Sequence, residues 1–101
     1  MKVTKIGLSG ELTMTRLDEF WSQVSSAPIT TQGEVTLDCR DLKYIDAVLL
    51  QAVAALRLEA QHRGVGFSVK HVSESILKDA RLLGMVGILQ DGPHRLEQSR
   101  Q

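Results

Sequence analysis

The chain has a single cysteine, Cys39. It cannot close an intramolecular disulfide, so no disulfide framework supports the fold, and a reducing compartment fits. Net charge is also lacking: 12 Lys and Arg balance 12 Asp and Glu. The basic residues are scattered among acidic ones, without the basic excess or stripe that a nucleic-acid binder needs. No apolar run approaches the roughly 20 residues that span a bilayer. The opening MKVTKIGLSG holds no apolar segment long enough for a signal peptide, so a cytoplasmic location is expected. Aromatic residues are few, one Trp, one Tyr and two Phe. Internal repeats and low-complexity stretches are absent.

Recognised catalytic patterns are missing too. There is no phosphate-cradling GxxxxGK[ST], and Gly64-Val65-Gly66 is too short and follows a helix pattern. There is no GxSxG nucleophile elbow. The three histidines, His62, His71 and His94, share no metal-ligand spacing with each other or with Cys39. Cys39 ends an apolar strand pattern and reads as a small packed side chain. Neither a catalytic residue nor a metal or cofactor is expected.

What is present is an ordinary globular composition. The 101 residues are 43% hydrophobic and 24% charged, one domain's worth of chain. Such a chain buries about 60–70% of its unfolded surface, enough for one core and little room for a deep cleft. Strand-like and helix-like segments alternate, which argues for an α/β layer fold. Residues 2–8 read as a strand and Ser9-Gly10-Glu11 as a turn. Leu17, Phe20, Trp21 and Val24 recur at helical spacing behind Thr15 as N-cap, giving a helix over about 15–25 with Trp21 in the core. Val35–Asp38 is a short strand. Asp46 caps the longest helix, about 47–63, whose core stripe is Leu49, Ala52, Val53, Leu56 and Ala60. Gly64 ends it at C′. Gly66–Lys70 is a strand with Phe67 and Val69 on one face. Ser73 caps a third helix that Gly84 ends. Met85–Leu89 reads as a short edge strand. Residues 1–90 form a single domain, and 91–101 a polar C-terminal tail.

The long helix carries a second apolar stripe, Leu50, Ala54 and Leu58, about 100–180° from the first and flanked by Arg57 and Gln61. A surface helix normally places charge there. The stripe is expected either under neighbouring helices or as a partner-binding or self-association patch.

Three segments together resemble the STAS domain family, the fold of anti-sigma factor antagonists and of cytoplasmic modules of sulphate transporters. Leu8-Ser9-Gly10-Glu11-Leu12 is similar to the family's L-x-G-E-L turn. Leu37 to Asp46 is similar to its D-L-S-x-V-x-x-I-D strand and loop. The long helix, Arg63-Gly64, a strand and a helix ending Leu82-Leu83-Gly84-Met85 are similar to its closing half. The match covers about residues 6–88. It implies a mixed sheet with helices mainly on one face, no catalysis, and binding to a protein partner. The partner-binding residues expected from resemblance and stripe together are Ser9, Gly10, Glu11, Asp46, Ala47, Val48, Leu50 and Leu58.

In phosphorylatable members a partner kinase modifies a serine at the start of the long helix, in a D-S-S-G-L context. Here Asp46 is followed by Ala47-Val48-Leu49. Val48 stands at the serine's place and has no hydroxyl, so that phospho-switch cannot operate there. Three functions follow. The first is a regulatory module, anti-sigma factor antagonist-like, that binds an anti-sigma kinase or another signalling protein without phosphorylation at the usual site. The second is the STAS subunit of a lipid-trafficking ABC transporter, docking on its ATPase. Gly10-Glu11-Leu12-Thr13 with Phe20-Trp21 is similar to that branch. The third is an antagonist phosphorylated at another hydroxyl, Ser9, Thr13 or Thr15. A homodimer is possible; nucleic-acid binding and membrane insertion are not expected. An enzyme or ligand-binding domain, of a different class, has no supporting constellation.

Overall fold

The computed structural model describes residues 2–27, 29 and 33–90. Its elements run β1 (Val3–Leu12), a 3-10 turn (Met14–Arg16), α1 (Leu17–Ser26), β2 (Glu34–Ile45), α2 (Ala47–His62), β3 (Gly66–Lys70), α3 (Glu74–Leu82) and a closing 3-10 helix (Val86–Leu89). The strands form one sheet in the order β1-β2-β3, and both pairings are parallel. The α/β class holds. Among the described residues every strand pairing is parallel, and Met85–Leu89, expected as a short edge strand, coils instead. Its backbone bonds are local, from Ile88 N to Met85 O and from Gln90 N to Gly87 O. Arg57 Nη2 takes the Ile88 and Gln90 carbonyls at 2.7 and 2.9 Å, so these groups are spent on α2.

Strand order fixes the layering. Two successive right-handed β-α-β crossovers that advance in one direction place their helices on the same face. The strands agree. Ile6 and Leu8, Val35, Leu37 and Cys39, and Val69 alternate onto one face and are buried together with Leu49, Val53, Leu56 and Phe20. Lys5, Glu34, Asp38, Ser68 and Lys70 alternate onto the other. That face is polar: Thr36 and Ser68 share a hydroxyl hydrogen bond of 3.0 Å, Ser68 donates to Glu34, and Lys5 pairs with Asp38 at 3.7 Å.

β1 and β2 both run further than their hydrophobic patterns suggest. Ser9-Gly10-Glu11 is not a turn. The strand continues through it to Leu12, with register shifts between Gly7 and Ser9 and between Gly10 and Glu11. β2 likewise runs past Asp38 to Ile45. Both shifts place the extra residue in β2, between Asp38 and Asp41 and between Leu42 and Tyr44, and break its two-residue alternation, whereas β1 alternates without a break and only the turn-like composition of Ser9-Gly10-Glu11 hides its full length. α1 starts two residues later than expected, behind the 3-10 turn, and Thr15 is not its cap. No side chain caps it; Thr15 bonds Thr13 through their hydroxyls at 2.9 Å. The α2 and α3 boundaries follow their signals. Asp46 and Ser73 accept from the amides three residues on, and Gly64 and Gly84 adopt φ of +69° and +73° just past the helix ends. The tail, 91–101, lies outside the described residues.

The second apolar stripe divides. Leu50 has 0% exposure and belongs to the core, which removes it from any partner surface. Arg57, seven residues further along the same side of α2, holds the closing 3-10 helix there and lies over the Phe67 ring, 4.8 Å from its centroid. Leu58, turned further outward, remains 53% exposed.

Trp21 is only half-buried at the core edge; Phe20, edge-on to it at 5.1 Å, is the enclosed aromatic. Phe20→Ala is therefore expected to lower stability by about 3–5 kcal/mol and Trp21→Ala by less. Leu50→Asp, which strands a carboxylate in the core, is expected to cost on the order of 4 kcal/mol or more. Urea denaturation of the three variants checks the order.

Candidate functional site

β2 passes into α2 through one residue, and the two meet at the carboxyl end of the parallel strands. That residue, Asp46, has extended backbone (φ −94°, ψ 176°), so its side chain folds back over the first helical turn. Its Oδ1 accepts from Leu49 N at 2.9 Å, the expected cap. Its Oδ2 accepts from Met14 N at 2.9 Å, a bond to the 3-10 turn across 32 residues of sequence. Its own amide donates to Leu12 O, and its carbonyl accepts from Leu50 N. Asp46 thus joins the end of β1, the 3-10 turn and α2. Its negative charge also lies at the positive end of the α2 dipole.

A second arginine shapes the neighbouring end of β1. Gly10 adopts φ +69°, the left-handed region that suits glycine. Arg16 Nη1 bridges the carbonyls on either side of it, Ser9 O at 2.7 Å and Glu11 O at 3.2 Å. Glu19 fixes the same guanidinium, with Nε–Oε1 at 3.0 Å and Nη2–Oε2 at 2.8 Å. The Arg16 hydrogen bond holds the Glu19 carboxyl below its ordinary pKa. The end of β1 therefore presents Ser9 and Glu11 outward, with Gly10 half-buried between them.

Of the residues expected to bind a partner, Ser9, Glu11 and Val48 are exposed, and Gly10, Asp46 and Ala47 are half-buried. These six lie on the last strand turns and the first turn of α2. Leu58 is exposed but lies near the other end of the helix, and Leu50 is core. Sequence reasoning missed two residues. Met14 is 63% exposed on the 3-10 turn bonded to Asp46, and Tyr44 is 43% exposed two residues before it. With Val48, 38% exposed, three of the seven exposed large hydrophobics among the described residues lie within two residues of Asp46 or on the turn it binds. Met14 had no detectable signal, because only the fold brings it to Asp46.

The other reactive groups are accounted for locally. Cys39 is buried, and burial pushes its thiol up to about 12, so no thiolate forms near neutral pH. Asp38 is held below the usual carboxylate range, first by the Arg40 amide that donates to it at 3.0 Å. Arg40 Nη2 approaches His71 Nε2 at 2.9 Å. A guanidinium only donates, so that ring nitrogen accepts. His62 is exposed, and His94 lies outside the described residues. Among the described residues no group of three or more His, Cys, Asp or Glu is placed to hold a metal ion, and no helix is long and apolar enough to cross a membrane.

A protein-family model described as Mlab, STAS domain matches residues 2–90. Among curated proteins no match is found.

Asp46→Ala removes a helix cap and the Met14 bond together, and is expected to cost about 1–2 kcal/mol in thermal or urea melts. Asp46→Asn, which keeps one acceptor oxygen, should cost less. Cys39 is expected to be inert to a disulfide reagent at pH 8 in the native protein and to react fully in denaturant, read as chromophore release.

Proposed function

The chain belongs to the STAS domain family, and from that premise we propose that it is a non-catalytic module that binds and regulates a protein partner through the corner at the start of α2. STAS domains are in general protein-interaction modules of the anti-sigma antagonist type. The observation that carries the reading is Val48. It is exposed on the first turn of α2, at the place where phosphorylatable members have their serine, and Asp46 beside it already spends both carboxylate oxygens on backbone amides. The contact offered is apolar and cannot be charged by phosphorylation at that position. Binding through it is constitutive or controlled elsewhere.

The partner in this reading is an anti-sigma kinase or another signalling protein, met in the cytoplasm. A second reading, the subunit that docks on the ATPase of a lipid-trafficking transporter, is favoured by Gly10-Glu11-Leu12-Thr13 and by the Mlab description of the matching family model. Phe20 and Trp21, the other part of that resemblance, pack in and beside the core. They support the fold of that branch more than its contact surface. A switch at Ser9, Thr13 or Thr15 has weaker support: Ser9 and Thr15 are exposed, but Thr13 and Thr15 bond each other, and none stands at the α2 terminus.

Affinity purification of the tagged protein from its native cell, with mass spectrometry of its companions, separates the readings. An anti-sigma kinase or signalling protein supports the first, and an ATPase with its permease the second. Val48→Asp is expected to weaken the recovered interaction at least tenfold while leaving Tm within a few degrees. Binding unaffected by Val48→Asp would overturn the corner as the docking site. Incubation with a recovered kinase and ATP should leave the intact mass unchanged; the gain of a phosphate would restore the hydroxyl-switch reading.

A further inference from the structure

α1 and the residue before it carry a polar line, Arg16, Glu19 and Gln23, at successive spacings of three and four. Such spacing stacks side chains on one side of a helix. Here that side faces the outer edge of β1. Arg16 Nη1 donates to the carbonyls of Ser9 and Glu11, and Gln23 Nε2 donates to Gly7 O at 2.9 Å. One line of donors thus holds three alternate carbonyls of a single strand.

The Arg16 guanidinium is aimed by its neighbour. The Glu19 carboxylate receives Nε and Nη2 side by side, which turns the remaining nitrogen, Nη1, toward β1. A lysine ammonium has the charge without the planar fork, and cannot meet the carboxylate and both carbonyls in this arrangement. Gly10 lies between the two carbonyls with φ +69°, and a Cβ added there would already touch Arg16 Nη1 at 3.4 Å. Arg16 is also the last residue of the 3-10 turn, whose first residue, Met14, is held by Asp46. The turn is therefore pinned at both ends, to α2 through Met14 and to β1 through Arg16. All three guanidinium nitrogens are engaged within the chain, so the part Arg16 plays is to hold and not to touch.

We infer that Arg16 is a positioning residue for the partner corner: aimed by Glu19, it holds the backbone around Gly10 so that Ser9 and Glu11 stand ready beside the start of α2. The inference rests on the docking corner proposed above and adds how its β1 half is kept in place. A surface ordered before contact loses less conformational freedom on binding, and affinity rises accordingly. Releasing Arg16 loosens one half of the corner while Asp46 and Val48 keep the other.

Amide hydrogen exchange of the full chain, read by mass spectrometry, and recovery of the partner by the tagged chain test this together. Arg16→Lys keeps the charge and loses the fork. Glu19→Gln keeps Arg16 and loses the paired acceptor, and serves as the second variant should Arg16→Lys fold poorly. Exchange in residues 8–12 is expected to rise about tenfold or more in Arg16→Lys and by less in Glu19→Gln, while residues 35–39 of β2 and 52–56 of α2 exchange at the wild-type rate. Partner recovery per folded protein is expected to fall about fivefold or more, in the same order. Unchanged exchange in both variants overturns the inference. Faster exchange in residues 8–12 with full recovery overturns it too, since the clamp then serves the fold alone. So does acceleration shared equally by residues 35–39 and 52–56, which reports a general loss of stability. In these three cases the docking corner still stands if Val48→Asp abolishes recovery. Recovery undiminished by Val48→Asp removes the corner and this inference with it.

Discussion

Asp46 uses its amide, its carbonyl and both carboxylate oxygens on backbone partners from three segments: the end of β1, the 3-10 turn and the first turn of α2. Much of the architecture depends on this convergence. β2 hands over to α2 with no loop, so the helix direction is set at one residue, and a parallel three-stranded sheet has no hairpin to hold its upper end together. The two carboxylate bonds, charge-assisted contacts to amides, are together worth about 1–2 kcal/mol. Their geometric effect is larger. They fix where Met14, Tyr44 and Val48 stand relative to each other, and they satisfy the carboxylate at the start of α2. The proposed docking corner offers Met14, Tyr44 and Val48 beside a carboxylate whose two oxygens already accept from amides.

The body beneath is layered on one side only. Helices that follow advancing parallel strands gather on one face, and the other face carries hydroxyls and ion pairs in place of a second apolar layer. Parallel sheets are seldom left uncovered. The cross-strand bonds among Thr36, Ser68 and Glu34 give this face partners for polar groups that a second layer would otherwise have to satisfy. With α2 as the central helix, its inner side is committed to the core, one flank to the closing 3-10 helix through Arg57, and only the remaining side is available.

What could be read in advance follows from the range of each interaction. Helix ends were legible because caps are local: Asp46, Ser73, Gly64 and Gly84 act on backbone within a few residues. The family's segments, which depend on order and spacing, were legible too. The length of β2 was hidden because extra residues between Asp38 and Asp41 and between Leu42 and Tyr44 disturb its alternation, and that of β1 because Ser9-Gly10-Glu11 has the composition of a turn. Leu50 was misplaced because helix periodicity gives an angle and not the neighbour that covers it. Met85–Leu89 was misread because its coiling is supported by Arg57, some thirty residues away. Met14 and Arg16 acquire their roles only when the 3-10 turn meets β1 and Asp46. At the site the helix start was visible in outline, while the residues that widen it were not.

β1 lies at the edge of the sheet, yet three alternate carbonyls along it, those of Gly7, Ser9 and Glu11, already hold donors from Gln23 and Arg16. An edge so furnished is a poorer template for another strand along its second half. Both guards belong to the segment that follows β1, the 3-10 turn and α1. The strand is therefore protected only once that segment has docked. During synthesis there is an interval in which β1 has emerged and its guards have not. Crowding among nascent chains matters most in that interval.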